Sequence, residues 1–244
     1  MKQLIEALAA ETHDLTAEGL VAHVARRLGD RVALATSLGV EDQAVTHMFC
    51  SAVPKPRIFT LDTGRLPQET YDAIQATNER YGIRIKILFP DRQEVEGLVN
   101  RDGSNLFYGS VEARKACCRV RKVRPLWREL ATLDGWITGL RREQSVTRAE
   151  LERVHWDEAN GLVKINPLAD WTEDQVWDYV RTHNVPTHRL HALGYPSIGC
   201  APCTRAVGEG EDVRAGRWWW EEPEHKECGL HPGRARKEEA HGPT

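Results

Sequence analysis

The chain has 244 residues, a hydrophobic share of 41%, a charged share of 28% and a formal net charge of -3. That length can bury a full core, and that balance excludes a disordered chain and a broadly basic nucleic-acid binder, so basic residues must matter locally. No run approaches the roughly 18 apolar residues of a membrane span, and the start MKQLIEALAAETHDL lacks a basic segment followed by an apolar one, so the sequence reads as cytoplasmic.

In chain order, the opening 30 residues read as one or two helices stopped at Gly29-Asp30. Short β-rich runs follow at 31–37, 56–63, 83–89, 135–140 and 162–168. Helical periodicity fills 41–50, 67–81, 91–100, 119–131 and 173–183, the last with Thr172 as N-cap. Strand-helix alternation predicts an α/β fold with a mostly parallel, doubly wound sheet. Residues 1–186 form the α/β part with its N-terminal helices. Residues 187–244, rich in Gly, Pro, His and charge, form an irregular C-terminal extension of the same domain, ending in a mobile tail. Within it, the three indoles of RWWWEE (217–222) are expected to anchor the extension to the body or to a partner subunit.

Three motifs fall where strands should end. In SLGVED, Ser37 and Gly39 suit close backbone approach to an anion at a helix N-terminus, although the loop matches neither common glycine-rich phosphate fingerprint. LDTGR brings Asp62, and TGLRREQS brings Arg141 and Arg142, to the same sheet edge, where an open α/β sheet binds its ligands.

The cysteines raise a separate question. Cys117 and Cys118 are adjacent within ARKACCRVRKVRPLW, and Cys200 and Cys203 form a C-x-x-C. Neighbouring Cα atoms lie about 3.8 Å apart, below the roughly 4.4–6.8 Å of a relaxed disulfide, so the adjacent pair is better explained as thiolates facing a common partner. A [4Fe–4S] cluster, a structural zinc and two unrelated buried pairs are all open; adjacency favours the cluster, whose separate iron corners receive successive residues more easily than one tetrahedral ion. Arg114, Lys115, Arg119, Arg121, Lys122 and Arg124 would offset the charge of four thiolates. Cys50 reads as a buried core thiol. Cys228 stands apart in ECGLH, beside glutamates that raise a thiol pKa, and needs cations such as Lys122, Arg214, Arg217 or His231 to become reactive.

Taken together and in order, SLGVED, LDTG, CCRVRKVRPL, GLRREQS, KINPLADW, YPSIGCAPCT, RAGRWWW and ECGLH resemble the assimilatory adenylyl-sulfate reductases, the cluster-containing branch of the phosphoadenylyl-sulfate reductase family. The resemblance runs from about residue 31 to 231. It implies an adenine nucleotide α-hydrolase-like fold related to the ATP pyrophosphatases, and release of sulfite and AMP from adenosine 5′-phosphosulfate (APS). Residue by residue, it implies that Cys117, Cys118, Cys200 and Cys203 hold a [4Fe–4S] cluster and that Cys228 is the nucleophile, passing through an S-sulfocysteine. Lys122, Arg214, Arg217 and His231 match groups around the phosphosulfate. Ser37, Gly39, Asp42, Leu61, Asp62, Thr63, Gly64, Gly139, Arg141 and Arg142, with Arg148, match the AMP side. An external thioredoxin, APS as the small-molecule partner, no nucleic acid, no membrane and a homo-oligomer are implied as well. The alternative substrate is the 3′-phosphorylated nucleotide (PAPS), alone or alongside APS.

Overall fold

The computed structural model describes residues 2–144, 148–222 and 226, the side chains of residues 2–6 excepted. Helices α1 (Lys2–Thr12) and α2 (Ala17–Leu28) open the chain. The alternating body then runs β1 (Val32–Ala35), α3 (Val40–Ala52), β2 (Ile58–Leu61), α4 (Gln68–Tyr81), β3 (Lys86–Leu88), α5 (Arg92–Asp102), α6 (Val111–Cys118), a π-helical turn (Arg119–Val123), α7 (Arg124–Leu130), β4 (Gly135–Ile137), β5 (Val154–Asp157), β6 (Leu162–Ile165) and α8 (Glu173–Thr182). Caps punctuate this order where short polar side chains replace missing helical partners. Thr16 Oγ1 accepts from Gly19 N, while Thr172 Oγ1 accepts from Gln175 N as Gln175 Oε1 accepts from Thr172 N, a reciprocal capping box.

The six strands form one sheet in the order β3-β2-β1-β4-β6-β5. Every pairing is parallel except β5 with β6. Because side chains alternate along a strand, the four central strands each feed two cores. Val32 and Leu34 of β1, Ile58, Ile137, Val163 and Ile165 face one cluster with α2, α3 and α8. Ala33, Phe59, Trp136 and Leu162 face the other, closed by Leu126 and Leu130 of α7. Both faces are covered, as a doubly wound parallel sheet requires. Among the described residues no helix is long and apolar enough to cross a membrane.

Three differences from the sequence-based expectations have plain causes. The edge strand β5 was not anticipated, because ERVHWDEANG is charged; an antiparallel edge strand with one partner tolerates such a composition, and Gly161 N donates back to Asp157 O (2.7 Å) to close the turn into β6. The helix expected from residue 119 begins at Val111, where Ser110 Oγ accepts from Ala113 N, so both adjacent cysteines lie on helix rather than before it. Cys50 is half-buried against the core rather than enclosed, although burial still pushes its thiol up to about 12.

Past α8 the described residues carry only short 3₁₀ turns. Arg189–Leu193 forms a short 3₁₀ turn packed near α4, and Ala201 N donates to Arg65 O (2.8 Å). An isolated bridge between Thr204 and Arg217 closes the loop that follows.

Candidate active site

The chain leaves β1 outward toward β2 and β3, and leaves β4 outward in the opposite direction toward β6. The loops after β1 and β4 therefore diverge, and open sheets bind ligands in the crevice such a reversal leaves. A cleft of about 510 Å³ occupies this place. Asp42, in the first turn of α3, ties its two walls together. Its Oδ2 accepts from Ser37 N and Ser37 Oγ (2.6 Å each) and its Oδ1 from Gly139 N (3.0 Å). Burial pushes the Asp42 carboxyl up from its ordinary value, against the pull of those hydrogen bonds. The approach at Gly139 is so close that a Cβ there would lie 2.5 Å from Asp42 Oδ1. Between Ser37 and Gly39, Leu38 is held at φ 62 with its side chain fully buried and its N–H donated to Thr36 Oγ1 (3.0 Å), an arrangement an L-residue adopts only under constraint.

Ser37, Gly39, Asp42, Leu61, Lys122, Gly139, Arg141, Arg148, Arg214 and Arg217 all line this cleft. Leu61, Leu126, Trp136 and Trp177 give it an apolar lining, and Lys122, Arg148, Arg214 and Arg217 give it cations. Arg141 is buried and its Nε donates to Glu41 Oε1 (3.0 Å), so its charge is balanced within the wall. Apolar surface for a flat ring beside clustered cations suits an aromatic, polyanionic ligand.

Four sequence-predicted residues point elsewhere. Arg142 pairs with Asp170 and donates to Leu151 O, away from the cleft. Asp62, Thr63 and Gly64 do not line the cleft, and Thr63 turns toward a second centre. Asp62 accepts from Gly64 N (2.7 Å) and Tyr71 Oη (2.9 Å), whereas the Thr63 hydroxyl meets Cys200 Sγ at 3.2 Å and Thr63 O accepts from Arg121 Nη1 (2.7 Å).

That second centre is a small cavity walled by Cys117, Cys118, Cys200 and Cys203, with Arg65, Phe107, Arg114, Arg121, Lys122, Pro202 and Trp218. All four cysteines are buried free thiols within one cluster that includes Trp218. Helical spacing explains the assembly: residues 114, 117, 118, 121 and 122 share one face of the run from Val111 to Leu130, so three cations rise beside two thiols. Arg119 and Arg124 are exposed, and Arg124 pairs with Glu94; these cations solvate the opposite side. Arg114, fully buried, is neutralised by Glu221 through Nε and Nη2 (2.9 and 2.7 Å) and lies over the Trp218 ring at 4.7 Å. Trp218 thus anchors the extension to the body as expected of the indole run, whereas Trp219 is exposed.

The thiols are not equivalent. Burial pushes Cys203 up to about 11 and raises Cys117, where Arg121 opposes it. Cys200 is also desolvated, yet Lys122, the Thr63 hydroxyl, Arg217 and Arg121 together bring it below its ordinary value. The thiols surround the cavity rather than meeting at a point: among the described residues no group of three His, Cys, Asp or Glu side chains is arranged to hold a single metal ion. The donor set, four thiols with compensating cations, fits a multi-metal thiolate cluster. Lys122 lines both cavity and cleft.

Sequence reasoning missed Arg65, which reaches the cavity from the loop after β2, and Glu221, the Arg114 partner; neither lies near a cysteine in sequence. It also missed His191, within the Arg189–Leu193 turn, and Glu173, the first residue of α8, both in the cleft wall. Cys228 and His231 lie outside the described residues. Lys226, two positions before Cys228, has its carbonyl held by Arg214 Nη2 at 2.7 Å, at the cleft wall.

Comparison with known proteins bears directly on this pair of centres. The model of the phosphoadenosine phosphosulfate reductase domain matches residues 31–206. The adenosine 5′-phosphosulfate reductase of Allochromatium vinosum is 57% identical over 220 residues, covering 90% of this chain and 86% of its own. That of Burkholderia cepacia is 53% identical over 224 residues, with 92% and 88% covered. Among solved structures, the phosphoadenylyl-sulfate reductase of Candida auris superposes with a TM-score of 0.70 at 24% identity, covering 85% of this chain and 98% of its own. Yeast FAD synthetase superposes at 0.55 with 14% identity, covering 83% and 68%, which extends the fold likeness to another adenine-nucleotide enzyme.

Proposed function

The chain belongs to the phosphoadenosine phosphosulfate reductase family, and on that premise we propose that it reduces adenosine 5′-phosphosulfate to sulfite and AMP in sulfate assimilation. The observation that carries the reading is the juxtaposition of a nucleotide-sized, cation-lined cleft with a four-cysteine cavity, joined by Lys122. AMP occupies the switch-point cleft, with its adenine against the apolar lining and its phosphate toward Ser37, Gly39 and the N-terminus of α3. Cys117, Cys118, Cys200 and Cys203 would hold a [4Fe–4S] cluster, which when bound supplies a brace between α6 and the extension and a compact polarisable charge beside Lys122. The Thr63 hydroxyl orients Cys200, and Arg65 and Arg121 favour the ionised form of the thiols beside them.

The reaction itself needs only a thiol. The Cys228 thiolate attacks the sulfur of the sulfuryl group, the bond to the phosphate oxygen breaks, AMP leaves, and an S-sulfocysteine remains. Lys122, Arg214, Arg217 and His231 screen the approach of one anion to another. A thiolate of an external thioredoxin then attacks Cys228 Sγ and releases sulfite. The second thioredoxin thiol resolves the mixed disulfide, so both electrons come from the dithiol. A cytoplasmic homo-oligomer is the form in which we place this chemistry. Intact-protein mass after anaerobic incubation with APS, without reductant, tests the covalent step: an increment of about 80 Da, the mass of SO₃, is expected on the wild type and absent from Cys228→Ser. Cluster-loaded protein that never gains the increment would remove Cys228 from the nucleophile's role.

A further inference from the structure

From the cysteine cavity a ladder of aromatic rings runs out to the surface. Phe107 lines the cavity; Tyr108 packs on it at 4.6 Å; Trp220 meets Tyr108 at 4.5 Å; and Trp219 meets Trp220 at 4.8 Å. The outer members are open, Tyr108 at 47% and Trp219 at 40% exposure. Tyr108 Oη donates to Pro202 O (2.9 Å), which fixes the ring against the C-x-x-C turn. The sequence around Tyr108, GSNLFYGSV over residues 103–111, holds no charged side chain. Arg65 borders the ledge, lying over the Phe107 ring at 4.9 Å and donating to Asn105 Oδ1 (3.0 Å), so large exposed aromatic rings stand beside a cation, the residue types that dominate protein-protein docking energy.

We infer that this ledge, centred on Trp219 and Tyr108, docks the dithiol protein that reduces the enzyme. The inference rests on the proposed thiol mechanism and adds where the reductant sits. Two observations commit the ledge to that occupant. Trp219 and Trp220 precede Cys228 by only nine and eight positions, so the chain keeps a partner seated there within reach of the sulfur it must attack. The chain also offers no resolving thiol of its own: four cysteines wall the buried cavity, and Cys50 lies on α3 with its thiol pushed up to about 12. Release of sulfite therefore needs a thiolate brought by another molecule, which forms a disulfide with Cys228 Sγ as the bond to SO₃ breaks; its second thiol then regenerates Cys228 and leaves with the disulfide.

The test compares the wild type with Trp219→Ala and Trp219→Glu, both at an exposed position outside the cleft and the cavity lining. Three readouts are taken on cluster-loaded protein: the rate of the 80 Da increment with APS alone, turnover with thioredoxin, and turnover with dithiothreitol. The expected result is at least a tenfold rise in KM for thioredoxin, larger for Glu than for Ala, with the increment rate and the dithiothreitol rate within twofold of wild type. An unchanged thioredoxin KM would overturn the docking site while leaving the mechanism standing. A slower increment would assign the ledge to the chain's own tail, and a shift in oligomeric state with thioredoxin KM intact would assign it to a second copy; both overturn the inference. Wild type that gains the increment but is not turned over by thioredoxin would remove the reductant itself, and the inference with it.

Discussion

The cleft and the cysteine cavity lie side by side and share Lys122, yet they are built on opposite principles. The cleft comes from the sheet. Its walls are the loops that leave β1 and β4, and the contacts that tie them together are Asp42 to Ser37 and Gly139, two of the three through backbone N–H groups. The cavity comes from segments far apart in the chain: the loop after β2, one face of α6 and the π-helical turn, the C-x-x-C turn, and the run from Trp218 to Glu221. It is also far more costly, since it desolvates four thiols and places Arg114 and Glu221 fully out of water. The difference teaches that a strand-edge site follows from topology alone, while a convergent polar site stands only when every charge in it has its partner.

The largest test of that contrast is Glu221→Gln, which takes from the buried Arg114 its carboxylate partner. Breaking such a pair costs about 3–5 kcal/mol. We expect a lower melting temperature and reduced iron on purification, with AMP affinity within a few-fold of wild type by titration. Loss of AMP binding to the same degree would show the two sites to be one cooperative unit.

Gly139→Ala turns the test on the cleft. A Cβ 2.5 Å from Asp42 Oδ1 must push the β1 and β4 loops apart, and overpacking of this kind costs about 1–3 kcal/mol. AMP affinity should fall about tenfold while iron content holds. An unchanged AMP affinity would break the assignment of the Asp42 tie as the frame of the cleft.

The smallest effect concerns the joint between body and extension. His188 is buried; Leu190 N donates to its Nδ1 (3.2 Å), and its Nε2 meets Thr70 Oγ1 on α4 (2.9 Å). Burial, then the neighbouring His191, lowers its pKa to about 4. The folded protein thus keeps His188 neutral where the unfolded chain, near the ordinary value of about 6.5, binds a proton. Its contribution is fully present above about pH 6.5 and is lost as pH falls toward 4. Melting curves from pH 7 to pH 4 should show a steeper decline in wild type than in His188→Gln; parallel declines would take His188 out of the joint.

Much of this architecture was legible before any coordinates. Five of the six strands and the helices between them follow from runs whose apolar period matches the element, and the three strand-end loops follow from Gly and polar residues placed where those runs stop. The pairing of Cys117 and Cys118 with the C-x-x-C was legible too, because adjacent cysteines make a poor disulfide. The strand β5 was not, since an edge strand needs no apolar face, nor was the start of α6 at Val111, since GSVEARK carries little periodicity of its own.

What the amino-acid sequence determined by itself is whatever depends on neighbours a few residues apart: element type, caps, and the face that aligns Arg114, Cys117, Cys118, Arg121 and Lys122 once a helix is granted. Only the tertiary structure decided which loops serve which centre. Thr63 and Arg65 turned to the cysteines and Leu61 to the cleft, Arg142 left for Asp170, and Arg114 found Glu221, 107 positions away. Pairings at that distance are set by the free energy of desolvated charge, which depends on what the finished fold buries and on nothing that local sequence encodes.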